Sequence, residues 1–235
     1  MNLQRLDKII SNQFNVSRSV ARKHIGWGRV TVNGKKPRDP SLQVDTDTAV
    51  IEYSGQALEY KEHIYLIMNK PEGVISASDD KNRETVVDLV PEELKRQGLF
   101  PVGRLDRDTT GLLLITDDGD FAHRVIHPKK KITKTYRALL DGTPDETAVK
   151  AFGEGVVLAD GTKCRPAELS VLGESEAEIK ISEGKYHQIK RMFGTQGLGV
   201  NSLMRIAIGK LQLPPDLPLG SCRELTEQEI DSIFG

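Results

Sequence analysis

The sequence is poor in the features that mark secreted, metal-stabilised and membrane proteins. Only two of its 235 residues are cysteines, Cys164 and Cys222, and they form no CxxC pair. A structural disulfide or zinc site is therefore not expected. No run of eighteen apolar residues occurs, so we expect no membrane span. The first residues lack a hydrophobic signal core, which predicts a cytoplasmic protein.

Motifs for cofactors are also missing. The phosphate-binding pattern GxxxxGK[ST] does not occur, so no nucleotide cofactor is expected. His123 and His127 have the i, i+4 spacing of zinc ligands, but position 124 is arginine and the HExxH motif is not met. The acidic segment at 117–120 resembles part of a calcium loop but lacks its glutamate, because position 125 is valine. We therefore predict no cofactor and no metal.

What the sequence does contain is an uneven distribution of charge. The formal net charge is −1, yet the first forty residues carry nine basic side chains against two acidic ones. That segment is therefore strongly basic, and the rest of the chain is acidic. The apolar content of 37% is enough for a hydrophobic core. A basic segment ahead of an acidic body indicates a module that binds a polyanion.

The basic segment has the pattern of two short helices followed by a hairpin. Leu3, Leu6 and the pair at 9–10 would line one face of a first helix, and Ser17 is placed to cap a second. A strand at 29–32 then precedes the tight turn Asn33-Gly34, and a further strand is predicted at 45–50.

Over residues 3–50 this arrangement resembles the RNA-binding domain first described in ribosomal small-subunit protein four. The resemblance implies that basic side chains contact RNA phosphates without reading bases. The candidates are Arg5, Arg18, Arg22, Lys23, Arg29, Lys35 and Lys36. We predict an RNA-binding domain at 1–53 and a polar linker at 54–63.

The remaining residues, 64–235, centre on a charged loop. Gly103 and Gly111 bracket two arginines and two aspartates, and the apolar run at 112–115 that follows is typical of a buried strand. Predicted strands and helices interleave without regular βαβ alternation. This pattern predicts an α+β fold with a mainly antiparallel mixed sheet.

Four ordered motifs in this region resemble the pseudouridine synthases, and most of all their RsuA branch, which acts on small-subunit (16S) ribosomal RNA. The motifs are NKPEG at 69–73, GRLDRDTTGLLLITDDG at 103–119, KTY at 134–136 and EGKYHQIKRMF at 183–193. The resemblance implies the pseudouridine synthase fold. It also implies an isomerase that converts a flipped-out uridine to pseudouridine.

The resemblance also implies site residues. Asp106 matches the catalytic carboxylate, either as a nucleophile at C1′ or as a base on the sugar. Tyr136 matches an aromatic residue that stacks on uracil. Lys190 matches the basic partner of the aspartate, where many relatives carry arginine. Arg191 is the alternative partner, because neighbouring residues on a helix point about 100° apart.

Three further basic residues are candidates for substrate contact. Arg104 would hold the phosphate of the flipped nucleotide or fill the gap that it leaves, and Arg107 lies in the same loop. Lys70 either touches substrate or supports the loop.

The expected partner is small-subunit ribosomal RNA, free or in an assembly intermediate, and we expect a monomer. The alternatives are a synthase that acts on large-subunit RNA and a non-catalytic RNA-binding assembly factor.

Overall fold

The computed structural model describes residues 2–235, which form two compact units. The N-terminal unit contains the chain up to Ile64 together with a later segment, Pro91–Leu99, and the C-terminal unit contains Tyr65–Val90 and Phe100–Gly235. No helix in the described residues is long and apolar enough to cross a membrane.

Two short helices and five short strands form the N-terminal unit. In chain order they are β1 (Leu3–Arg5), α1 (Leu6–Gln13), α2 (Arg18–Gly26), β2 (Val30–Val32), β3 (Gln43–Asp45), β4 (Ile51–Tyr53) and β5 (Gln56–Ala57). Strand β1 pairs with β3, and β2, β4 and β5 form an antiparallel sheet. Apolar residues of both helices, among them Leu6, Ile10 and Ile25, are buried together with Val30 and Ile51.

The predicted cap and turn of this unit are confirmed. Ser17 accepts a hydrogen bond from the backbone N–H of Val20 at the start of α2. The turn after β2 places Asn33 and Gly34 at positive φ, with backbone hydrogen bonds between Val32 and Lys35. Asparagine and glycine tolerate that conformation better than other residues, which explains the turn.

Other predictions for this unit were wrong. Leu3 does not belong to the first helix; it lies in β1 and is exposed, because β1 pairs with β3. The single strand predicted at 45–50 does not form: Asp45 ends β3, and a turn at 46–48 leads towards β4. Within the predicted linker at 54–63, strand β5 pairs with β4 through Tyr53 and Gln56.

The segment Pro91–Leu99 forms turns and contains no helix. Single-turn hydrogen bonds join the N–H groups of Leu94 and Lys95 to the carbonyl of Pro91. The side chain of Arg96 donates to the carbonyl of Lys61, and Gln97 donates to Asn15. These contacts attach the segment to the N-terminal unit.

The C-terminal unit is built on a nine-stranded sheet. Its strands are β6 (Tyr65–Lys70), β7 (Phe100–Pro101), β8 (Thr109–Thr116), β9 (Lys134–Leu140), β10 (Glu168–Val171), β11 (Glu176–Ile181), β12 (Val200–Ile208), β13 (Leu211–Gln212) and β14 (Cys222–Glu224). The main order is β10-β11-β9-β12-β8-β6-β14, with β13 beside β12 and β7 beside β8. The predicted α+β class with a mainly antiparallel mixed sheet is confirmed, since β8 and β12 are parallel while the neighbouring pairs are antiparallel.

Four α-helices and one 3-10 turn accompany the sheet. They are α3 (Gly119–Ile126), the 3-10 turn Pro128–Lys130, α4 (Glu146–Glu154), α5 (Gln188–Gly194) and α6 (Glu227–Ser232). Asp118 caps α3, and Thr226 and Glu229 form a reciprocal cap at α6. Phe121 and Val125 of α3 pack with Leu112 and Leu114 of β8 in one buried cluster. This packing explains why β8, as predicted, is apolar and buried on both faces.

Candidate functional site

A cavity of about 810 Å³ lies in the C-terminal unit. Its lining comes from the loop before β8, from β9 and β12, and from the segment that leads into α5. Pockets that hold small ligands commonly measure some 300–1,000 Å³. The cavity therefore has room for a nucleotide.

The charged loop places Asp106 at this cavity, and hydrogen bonds fix the preceding residue, Leu105. Leu105 is buried, and its backbone N–H donates to the hydroxyl of Ser76 at 3.0 Å while that hydroxyl donates to the Leu105 carbonyl at 2.9 Å. The backbone N–H of Thr109 closes the loop on the Asp106 carbonyl at 3.1 Å. Asp106 itself keeps 31% of its side chain exposed, so its carboxylate is fixed in position but accessible.

Glycine is required where the loop enters β8. Gly111 has a φ of +99°, and a Cβ atom there would lie 2.3 Å from the backbone oxygen of Arg205. Gly111 and Arg205 are register partners in the parallel pair of β8 and β12. The absence of a side chain therefore permits the close approach of the two strands that support the site.

Of the two roles predicted for Lys70, the structure favours support of the loop over contact with substrate. Its side chain is completely buried, and Nζ donates to the carbonyls of Pro71 at 2.8 Å, Thr109 at 3.0 Å and Arg107 at 3.4 Å. Burial lowers its pKa to about 8, although the nearby Asp108 and Asp106 oppose the shift. An ammonium group that is occupied by loop carbonyls is not available to a ligand.

The cations predicted to accompany Asp106 have other partners. Lys190 Nζ lies 2.5 Å from Asp108 Oδ1, and Arg191 Nη2 lies 2.5 Å from Asp160 Oδ2. The expected ion pair of Asp106 with either residue is thus not present. Lys190 nevertheless lines the cavity, and its hydrogen bond holds the pKa of Asp108 below the ordinary value.

The side chain next to Asp106 is that of His187, which the sequence did not identify. His187 Nε2 lies 3.6 Å from Asp106 Oδ1, and the imidazole stacks on Tyr186 with ring centroids 3.9 Å apart. His187 occupies the left-handed region, with φ of 47°, immediately before α5. A non-glycine residue at positive φ is uncommon and is enriched at functional sites.

Tyr136 and Arg205 lie side by side in the wall of the cavity. They are register partners on the antiparallel strands β9 and β12, and both are almost fully buried. Arg205 donates from Nε to the carbonyl of Leu112 at 2.7 Å and from Nη1 to the Tyr136 hydroxyl at 3.4 Å. Arg205 was not predicted; an arginine within the apolar alternation of β12 was the available signal.

The two arginines of the charged loop are exposed. Both line the cavity, and Arg107 also donates from Nε to the carbonyl of Gly73 at 3.0 Å. Arg104 is therefore placed to meet a ligand at the cavity, and Arg107 ties the loop to the NKPEG turn.

In the N-terminal unit a second charged cluster surrounds Asp7, whose side chain is fully buried. Arg5 pairs with both carboxylate oxygens at 3.0–3.1 Å, Arg18 donates at 2.8 Å and Arg22 at 3.0 Å. Each arginine keeps 40–54% of its side chain exposed. The other predicted RNA contacts, Lys23, Arg29, Lys35 and Lys36, are exposed.

Neither of the two metal-like patterns in the sequence forms a ligand cluster. No group of three or more histidine, cysteine, aspartate or glutamate side chains suited to a metal occurs within residues 2–235. His123 and His127 lie edge to face with ring centroids 4.6 Å apart. Asp118 caps α3 by accepting from the Phe121 N–H.

A partly exposed aspartate, a buried tyrosine and several basic groups around one cavity suit chemistry on a nucleotide. Comparison with known proteins agrees. Residues 64–195 match the family described as RNA pseudouridylate synthase, and residues 4–50 match the S4 domain. The chain belongs to the RNA pseudouridylate synthase family, whose members are isomerases.

Its relatives match along nearly the whole length. The chain is 40% identical to the ribosomal small subunit pseudouridine synthase A of Escherichia coli, over 97% of this chain and 99% of the relative. It is also 40% identical to the uncharacterized RNA pseudouridine synthase YtzG of Bacillus subtilis, over 96% of both chains. A pseudouridylate synthase crystal structure superposes with a TM-score of 0.69 at 36% identity, covering 97% of this chain and 99% of that one. The family predicted from the four motifs is confirmed.

Proposed function

We propose that this protein converts a specific uridine of small-subunit (16S) ribosomal RNA to pseudouridine. The observation that carries the proposal is the accessible Asp106 carboxylate on a cavity that Tyr136 also lines. The relatives named small-subunit synthases support the choice of RNA. The uridine would be flipped out of the RNA, since its N1–C1′ bond is shielded within a stack.

Each site residue has a distinct role in this proposal. Asp106 acts on the sugar, as a nucleophile at C1′ or as a base. Tyr136 stacks on the uracil, and its hydroxyl serves as acceptor or relay for the C5 proton. Lys190 contributes positive charge and, through Asp108, fixes the loop. Arg104 contacts the phosphate of the flipped nucleotide or takes the place of the base.

The N-terminal domain, residues 1–53, would bind the RNA backbone. The three arginines around Asp7 present their exposed faces to phosphates, and Lys23, Arg29, Lys35 and Lys36 extend the contact. Such contacts position an enzyme without reading sequence. We propose that the protein acts as a monomer, without a nucleotide cofactor, in the cytoplasm, where it meets ribosomal RNA or an assembly intermediate.

Mapping of pseudouridine in ribosomal RNA tests this function. RNA from cells with and without the gene is compared, and purified protein is then added to 16S RNA and to small-subunit particles from the deficient cells. We expect one 16S position to lose its modification in the deficient cells and to regain it with the protein.

Asp106→Asn is the matched control, since it removes the carboxylate charge while it keeps the side-chain shape. It should lower the rate by at least about 10³-fold, as loss of a covalent or general-base group does, and leave RNA binding unchanged. Full activity of this variant would contradict the assignment. Loss of a 23S position instead would identify a large-subunit enzyme, and no loss at any position would favour an assembly factor.

A further inference from the structure

Arg205 is a buried cation without an anionic partner among residues 2–235. Its side chain is only 4% exposed, and two of its nitrogens donate to the Leu112 carbonyl and the Tyr136 hydroxyl. The third, Nη2, is buried and has no hydrogen-bond partner in the described part of the chain. No carboxylate there lies within ion-pair distance of the guanidinium, which sets it apart from the arginines around Asp7.

A buried guanidinium group without an opposite charge lowers the stability of the folded protein, which indicates a role in binding a ligand. A guanidinium group stays protonated in proteins, so it cannot escape the cost of burial by losing its proton. Buried charges are normally paired with an opposite charge and fully hydrogen-bonded. Two neutral acceptors satisfy only part of the five-donor guanidinium of Arg205.

A second basic group lies close to Arg205. Lys134, also on β9 and also part of the cavity lining, is partly buried, and burial together with the charge of Arg205 lowers its pKa to about 8. The carboxylates that line the cavity are Asp106 and Glu183, and Glu183 is already paired with Lys185 at 2.6 Å. The wall that contains Tyr136 is therefore positively charged, and Arg205 Nη2 in it is a free hydrogen-bond donor.

We propose that Arg205 donates from Nη2 to a carbonyl oxygen of the uracil base and stabilises negative charge on that base during isomerisation. The inference rests on the proposed function and adds a base-contacting residue to it. Uracil carries carbonyl acceptors at C2 and C4. Arginine has donors only and suits those oxygens.

The charge that Arg205 would stabilise follows from the bonds that change. When the N1–C1′ bond breaks, its electron pair remains on the base, which becomes an anion with charge shared by N1 and the two carbonyl oxygens. When C5 bonds to C1′, the base gives up that electron pair, and the proton on C5 then moves to N1 through solvent or a side chain. The base anion forms whether Asp106 acts on C1′ or on a sugar proton. A fixed, buried donor is effective for such developing charge, because it needs no reorganisation.

Arg205→Gln tests this role, because glutamine keeps an N–H donor and removes the charge. With saturating RNA, we expect the single-turnover rate of the variant to fall about 10²–10³-fold, as when a preorganised donor to a developing anion is lost. The dissociation constant for RNA should stay within about threefold. The control is Arg137→Gln on the same strand as Tyr136, since Arg137 is exposed and forms an ion pair with Glu176 at the surface. This control should keep wild-type activity.

Substrate RNA with 5-fluorouridine at the target position separates charge stabilisation from a structural effect. Fluorine withdraws electrons and stabilises the base anion by itself, so breakage of N1–C1′ should depend less on Arg205. The deficit of Arg205→Gln relative to wild type, measured as loss of the starting nucleoside, should shrink at least about fivefold with this substrate. A purely structural defect would slow both substrates equally, and that result would overturn the inference.

Arg205→Lys keeps the test decisive if the glutamine variant fails to fold. Lysine retains the charge, and we expect the same reduction of the deficit with the fluorinated substrate. An equal deficit on both substrates, or a rate within threefold of wild type for Arg205→Gln, would reject the role of Arg205 and leave the proposed function standing. An inactive wild-type protein on both 16S RNA and small-subunit particles would overturn the function and the inference together.

Discussion

Two buried charged groups in this protein differ in how completely they are neutralised. In the N-terminal unit three arginines surround the fully buried Asp7, while in the C-terminal unit Arg205 is buried and has no carboxylate partner among the described residues. Asp106, on the same cavity as Arg205, is partly exposed, and His187 Nε2 lies 3.6 Å from its carboxylate. In the cluster around Asp7 the opposite charges neutralise one another and hold the side chains in place. A buried charge without an opposite charge, such as Arg205, can still bind a ligand. Departures from the rule that buried charges are paired are expected at functional sites.

Among the side chains that support the cavity without the proposed contact to the base, the largest effect is expected at Lys190. Lys190→Met should lower the single-turnover rate about 10²-fold, because the loop loses its ion pair at Asp108 and the cavity loses a cation. Arg191→Met is the matched control, since Arg191 pairs with the exposed Asp160, and it should stay within threefold of wild type. Equal losses of single-turnover rate in both variants would show that Lys190 has no special role at the cavity.

Next in size is the effect of removing the ammonium group under the loop. Lys70→Met keeps the volume but leaves three carbonyls without their donor, and it should lower the free energy of unfolding by about 2 kcal/mol. Urea unfolding followed by circular dichroism measures this change. Faster amide hydrogen exchange at 105–112 would place it in the loop.

Lys150→Met, at an exposed pair with Glu154, is the control for Lys70→Met and should change stability by less than about 0.5 kcal/mol. If Lys70→Met were equally neutral, Lys70 would not support the loop.

The smallest effect is expected for Asp7→Asn, about 1–2 kcal/mol, because the three arginines remain half-exposed and can be hydrated. Urea unfolding can be followed by Trp27, the only tryptophan, which lies against His24 and Arg29 in this unit. The control is Glu59→Gln, an exposed carboxylate of the same unit.

Asp7 should also make the stability of its unit sensitive to acid. The hydrogen bond from Arg5, helped by Arg18 and Arg22, holds the pKa of Asp7 well below its ordinary value, although burial opposes this shift. As the pH falls below about 4, the unfolded chain takes up a proton at this residue while the folded chain does not. Stability is therefore full above that pH and declines below it. Asp7→Asn should flatten the decline, and an unchanged profile would contradict the neutralised cluster.

The sequence was most informative where local chemistry decides the structure. The cap at Ser17, the Asn33-Gly34 turn and the glycine-bracketed loop around Asp106 depend on neighbouring residues, and each could be predicted. Arg205 could not, because its role depends on the register between β12 and β9, which joins residues 69 positions apart. His187 and the true partner of Lys190 depend on how the chain enters α5, and periodicity does not encode that entry.

The segment Pro91–Leu99 makes the N-terminal unit discontinuous in sequence. Gln97 is bound to Asn15 and Arg96 to the carbonyl of Lys61, so nine residues from the middle of the chain belong to a unit that the gene encodes mainly at its start. A single recombination junction near residue 64 cannot transfer that unit intact to another protein. A chimera made in this way would combine the chain up to Ile64 from one parent with the segment Pro91–Leu99 from the other. Exchange of the N-terminal unit among such enzymes therefore requires that both of its segments are exchanged together.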